Sequence, residues 1–107
     1  MNVLVFVSSS CPHCPHAEEV AKEIVPNYYA FGANLEKVRI KTSEGKELSR
    51  KYNVMGVPTI ILTNDDGKEI ERMVGAPNED RLKKSIEKAL GIRKSFFSKI
   101  LNLGKNK

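Results

Sequence analysis

The chain has no tryptophan, only two histidines and only two cysteines among its 107 residues. Each scarcity excludes something. Two cysteines cannot build the disulfide framework of a small secreted domain, and a chain of this length can bury a core without one. A bridge between Cys11 and Cys14 closes a tiny loop and stabilises little, so stapling is a poor reason for the pair. No apolar run approaches the roughly 20 residues needed to cross a bilayer. "MNVLVFV" carries no basic leading region, and its apolar run ends after five residues at the serines, unlike an export signal. The expectation is a cytoplasmic chain, where a CxxC pair is more often catalytic or metal-binding than structural.

Acids are missing from one stretch. Residues 91–107 hold five of the 18 lysines and arginines and no Asp or Glu, leaving 13 cations against 13 acids in residues 1–90. The net charge of +5 therefore belongs to a tail. The neutral remainder gives no case for nucleic-acid binding. An apolar share of 40% and a charged share of 29% suit one soluble domain, expected over residues 1–91 with a basic amphipathic tail over 92–107. In the tail, Phe96, Ile100 and Leu103 share a helical face. It reads first as a helix packed on the domain or a frayed end, then as a partner surface, and last as a helix lying on an anionic membrane.

What is present is a regular alternation of elements. Residues 3–7 are a continuous β-branched-rich apolar run, as in a central strand buried on both faces. Ala17, Val20, Ala21, Ile24 and Tyr28 recur at helical spacing, and Pro26 predicts a kink with the register carried on to Tyr28. Residues 35–41 alternate, with Val38 and Ile40 on one face and Lys37, Arg39 and Lys41 on the other. Residues 43–54 read as a short helix capped by Ser43, with Leu48 and Tyr52 inward. Residues 57–63 form an apolar strand and 64–67 a turn into the returning strand 68–74. Asn78 caps a final helix that Gly91 stops, with Leu82, Ile86, Ala89 and Leu90 inward. The order βαβαββα requires a parallel first pair and an antiparallel hairpin. This is an α/β fold with a four-stranded mixed sheet flanked by helices.

The chemistry sits in "SSSCPHCPHAEE", residues 8–19. With Pro12 as the first helical residue, Cys11 becomes the N-cap and Cys14 the third helical position. A Cys11 thiolate then accepts unpaired N–H groups of the first turn, that of Cys14 among them, at the positive end of the helix dipole. Both effects favour the charged form and make Cys11 the attacking thiol. Cys14, one turn in, is the more buried thiol that resolves the mixed disulfide. His13 beside the thiolate stabilises the reduced form and makes the pair more oxidising, whereas His16 lies on the helix surface. Pro15, not histidine, follows Cys14, which argues against haem attachment. Cys11, His13, Cys14 and His16 are all metal-ligand types, but structural zinc sites normally draw on two separate loops. No metal is expected.

A strand, a CxxC opening a helix, a Val-Pro-Thr strand start and a DG hairpin together resemble the thioredoxin–glutaredoxin superfamily. The resemblance covers residues 1–90 through CPHC at 11–14, "GVPTIIL" at 56–62 and "VGA" at 74–76, and comes nearest to small archaeal thioredoxin-like proteins. It implies the thioredoxin fold and a thiol–disulfide oxidoreductase that reduces protein disulfides. No cofactor beyond the redox-active Cys11–Cys14 pair is implied, with electrons supplied by a thioredoxin reductase or a low-molecular-weight thiol. It also implies a cis Pro58 beside the cysteines, with the Val57 backbone pairing to a substrate strand. Gly75 lets a partner approach. Pro12, Gly56, Val57, Pro58 and Gly75 form the implied docking surface, to which Met55 adds an apolar contact. The chain departs from the family in carrying Ser10 in place of a tryptophan and Pro12-His13 in place of glycine-proline. Val5 stands in place of a buried aspartate, so water or Glu18 is left as proton acceptor for the buried thiol. Pro-His is the dipeptide of the periplasmic disulfide oxidases, whose helical insertion is absent here. An oxidase or isomerase, a glutathione-coupled glutaredoxin-like activity and a metal-binding module without turnover are the alternatives.

Overall fold

The computed structural model describes residues 1–91; the tail and its expected amphipathic helix lie outside the described residues. In chain order the elements are β1 (Asn2–Val7), α1 (Cys14–Ile24), β2 (Asn34–Arg39), α2 (Ser43–Lys51), β3 (Thr59–Thr63), β4 (Glu69–Val74) and α3 (Glu79–Leu90). The sheet runs in the order β2-β1-β3-β4, with β1 parallel to β2 and both remaining pairs antiparallel.

The apolar run 3–7 is the central strand the pattern requires, because strands on either side and helices on both faces leave no residue of it in water. Val3, Val5 and Val7 enter a core shared with α1 and α3, through Val20, Ile24, Leu82 and Ile86. Leu4 and Phe6 enter a smaller one with Val38, Tyr52 and Ile61. The hairpin is also as expected: Asn64 Oδ1 accepts from the backbone of Asp66 and Lys68, and Gly67 has φ 84°. Asn78 Oδ1 accepts from Arg81 N at 2.8 Å, and Gly91, at φ 77°, ends α3.

Helix boundaries differ from the sequence expectation in four places. First, α1 starts at Cys14, not Pro12, and His13 is its cap residue. Pro15 explains this: it has no N–H to give to the Cys11 carbonyl, which accepts from Cys14 N instead, in a turn at 3.4 Å. The first α-helical bond runs from Ala17 N to His13 O. Second, α1 does not kink at Pro26 but stops at Ile24, and Val25–Phe31 continue as a 3₁₀ helix. Pro26 cannot donate to Lys22, and the tighter winding still delivers Tyr28 to the core. Third, the cap of α2 is Thr42 rather than Ser43. Thr42 is extended, at φ −79° and ψ 163°, and its Oγ1 accepts from Gly45 N at 2.9 Å. Fourth, α2 ends at Lys51 because Asn53 turns left-handed at φ 53°.

Tyr28 ties the 3₁₀ segment to α3, donating its hydroxyl to Glu87 Oε2 at 2.6 Å. Burial, and then the bond to Glu87, push its ionisation well above the ordinary tyrosine range. A raised folded-state value means that the bond's stabilisation is complete below about pH 10 and is lost as pH climbs beyond it. Tyr28→Phe is expected to cost about 1 kcal/mol in urea unfolding at neutral pH. The gap from the unmodified protein should narrow above pH 10; a constant gap would refute the coupling.

Candidate active site

β1 ends at the carboxyl edge of the sheet and delivers the chain into the loop that precedes the cysteines. That loop is folded on itself by short-range bonds. Cys11 N donates to Ser8 O at 3.2 Å, Ser10 N donates to Ser8 Oγ at 3.4 Å, and the Ser8 and Ser10 hydroxyls lie 3.2 Å apart. Cys11 and Cys14 follow, bridged by a disulfide with Cα atoms 5.4 Å apart. The two sulfurs have different surroundings. Cys14, the first residue of α1, is 1% exposed and belongs to the larger core, whereas Cys11 is half-buried against the core's edge. Pro12 and His13 are both exposed on the turn between them.

The loop between α2 and β3 lies against the same core. Val57 is half-buried and contacts both core clusters, and the Val57–Pro58 peptide bond is cis. Pro58 is buried, while Gly56 and Met55 are exposed, Met55 to 87%. A third segment is tied to this loop: Gly75 N donates to Pro58 O at 2.8 Å. Gly75 has φ 93°, a left-handed backbone that favours glycine although a Cβ would meet nothing within 4 Å. Cys11 and Val57 thus both pack against the larger core that contains Cys14, and Pro58 is joined to Gly75. His16 lies on the exposed side of α1. Glu18 pairs with Lys37 at 2.9 Å.

Val74, an exposed apolar residue beside Gly75, is not among the expected site residues. It is 69% exposed, precedes Gly75 and sits opposite Thr59 in the ladder. β4 buries Met73 and turns its neighbour Val74 outward, as successive strand residues face opposite sides. Two adjacent apolar residues give no sequence signal for which one is exposed.

The sequence model of the thioredoxin-like domain matches residues 2–90. The chain belongs to this family. Among its relatives, the thioredoxin of Methanocaldococcus jannaschii is 30% identical over 90 residues, covering 84% of this chain and 96% of that protein. A probable thioredoxin of Methanothermobacter thermautotrophicus is 33% identical over 86 residues, covering 80% of this chain and 92% of that one. Of the solved structures, a mutant thioredoxin from Halobacterium salinarum superposes with a TM-score of 0.66 at 31% identity, covering 81% of this chain and 72% of that one. The expected superfamily, fold and archaeal likeness hold.

This thioredoxin-like protein is a thiol–disulfide oxidoreductase. Its paired cysteines allow a balanced two-step exchange. In the reduced protein one thiolate attacks a substrate disulfide, forming a mixed disulfide and expelling the substrate's other sulfur as thiolate. The second cysteine then attacks the mixed disulfide, closes the internal bridge and releases the remaining substrate thiol. Two electrons leave the protein dithiol, and the substrate thiolates take up the two protons.

Proposed function

We propose that this protein works as a thioredoxin-type reductant of protein disulfides, with Cys11 as nucleophile and Cys14 as resolving thiol. The observation that carries the reading is the asymmetry of the pair, with Cys11 half-buried at the core's edge ahead of α1 and Cys14 within the core. A sulfur that must meet a protein client needs exposure; a sulfur that attacks only its neighbour does not. The client lies along the Val57 backbone as an added strand, over Pro12, Gly56, Pro58 and Gly75, with Met55 and Val74 as apolar contacts. The reaction uses no cofactor beyond the cysteine pair, and electrons come from a thioredoxin reductase or a low-molecular-weight thiol. The setting is cytoplasmic.

His13, exposed at the cap of α1, is the residue proposed to set the potential, and a strong effect there would make the protein an oxidase instead. Equilibrating the pair against glutathione tests the direction. A potential near about −270 mV is expected for a reductant, and one near about −120 mV would overturn that reading in favour of an oxidase.

A further inference from the structure

A groove of about 300 Å³ runs between α2 and the segment leading to Pro58. Its floor is apolar: Ile40, Val54 and Val57 are half-buried and pack on the smaller core. Met55 stands exposed at the rim. The wall is cationic, because Lys46 and Arg50 sit one helical turn apart on α2 and both line the groove. Both are exposed, and neither has an ion-pair partner among the described residues. No acid lines this groove, whereas Glu44 lines a separate cleft on the other flank of α2. An apolar floor beside two unpaired cations favours a ligand that carries an apolar side chain and a carboxylate together.

We propose that this groove selects acidic client segments, in which an apolar residue with Asp or Glu within a few positions lies on one side of the cysteine under attack. The proposal rests on the reading of Val57 as the docking edge. A client strand paired there sends alternate side chains to the same face about 7 Å apart. One can then fill the floor while a neighbour approaches the cations. Lys46 and Arg50 act on binding and take no part in the exchange of sulfurs.

The test compares two synthetic peptides that share a disulfide and an apolar residue, one flanked by Glu and the other by Gln. Single-turnover oxidation of the pre-reduced protein is followed at low salt, with uncharged dithiodipyridine as a reference disulfide. The Glu peptide is expected to react roughly five-fold faster, and the advantage should shrink as salt is raised. In K46Q/R50Q the ratio should fall to about one, and in K46E/R50E it should invert. Because each ratio is taken within one variant, losses common to both peptides cancel. Equal rates in the unmodified protein, or a preference that survives in K46E/R50E, would overturn the proposal alone. So would glutathione disulfide reacting as fast as the Glu peptide, which would assign the cations to a small anionic thiol. Failure to react with any disulfide, dithiodipyridine included, would overturn the reading of the cysteine site and this proposal with it.

Discussion

Cys11→Ser is expected to reduce insulin-disulfide reduction to the uncatalysed background, a loss on the order of 10³-fold or more. A serine hydroxyl is not ionised at neutral pH and cannot form the mixed disulfide through which the exchange passes. Cys14→Ser should fail differently. Its Cys11, half-buried at the core's edge, keeps its thiol for attack, but nothing stands ready to resolve the product. It should accumulate a covalent adduct with a disulfide client, visible by mass spectrometry and released by dithiothreitol. Both variants should fold, because the bridge closes too short a loop to matter much for stability. Full activity in Cys11→Ser would sink the assignment. An adduct that formed in Cys11→Ser, and not in Cys14→Ser, would reverse the two roles.

Gly45→Ala should create the closest clash of any glycine-to-alanine change among the described residues. A Cβ at Gly45 would stand 1.7 Å from Arg39 O, 2.6 Å from Arg39 C and 2.9 Å from Ile40 Cα. All three are backbone atoms at the end of β2, so no side chain can swing aside, and α2 itself must move. Alanine is ordinarily the better helix residue by about 1 kcal/mol. Here the overlap should outweigh that gain and destabilise the protein by about 3 kcal/mol in urea unfolding. A loss below about 1 kcal/mol would show that α2 shifts freely. Such a shift would also move Lys46 and Arg50 relative to Ile40, so the preference for acidic clients should weaken in the folded fraction.

Much of the fold was legible because its signals are local. The run 3–7, the turn at 64–67 and the caps Asn78 and Gly91 each express one short-range rule of periodicity or backbone conformation. The errors at helix starts have a physical pattern as well. Pro12 and Pro15 both satisfy the preference for proline in a first turn, but the later one removes the donor that a helix begun at Pro12 would need. Thr42 and Ser43 carry the same hydroxyl, and only the extended backbone at Thr42 makes it the cap.

By itself the sequence determined the order of the elements and the helix that begins at the CxxC pair, since these follow from residue types a few positions apart. Tertiary structure decided how far each sulfur is buried and brought the Pro58 loop and Gly75 together. It also left no room for a Cβ at Gly45 and set Lys46 and Arg50 in one groove with Val57. Those outcomes depend on segments tens of residues apart meeting in space, which no short-range periodicity encodes.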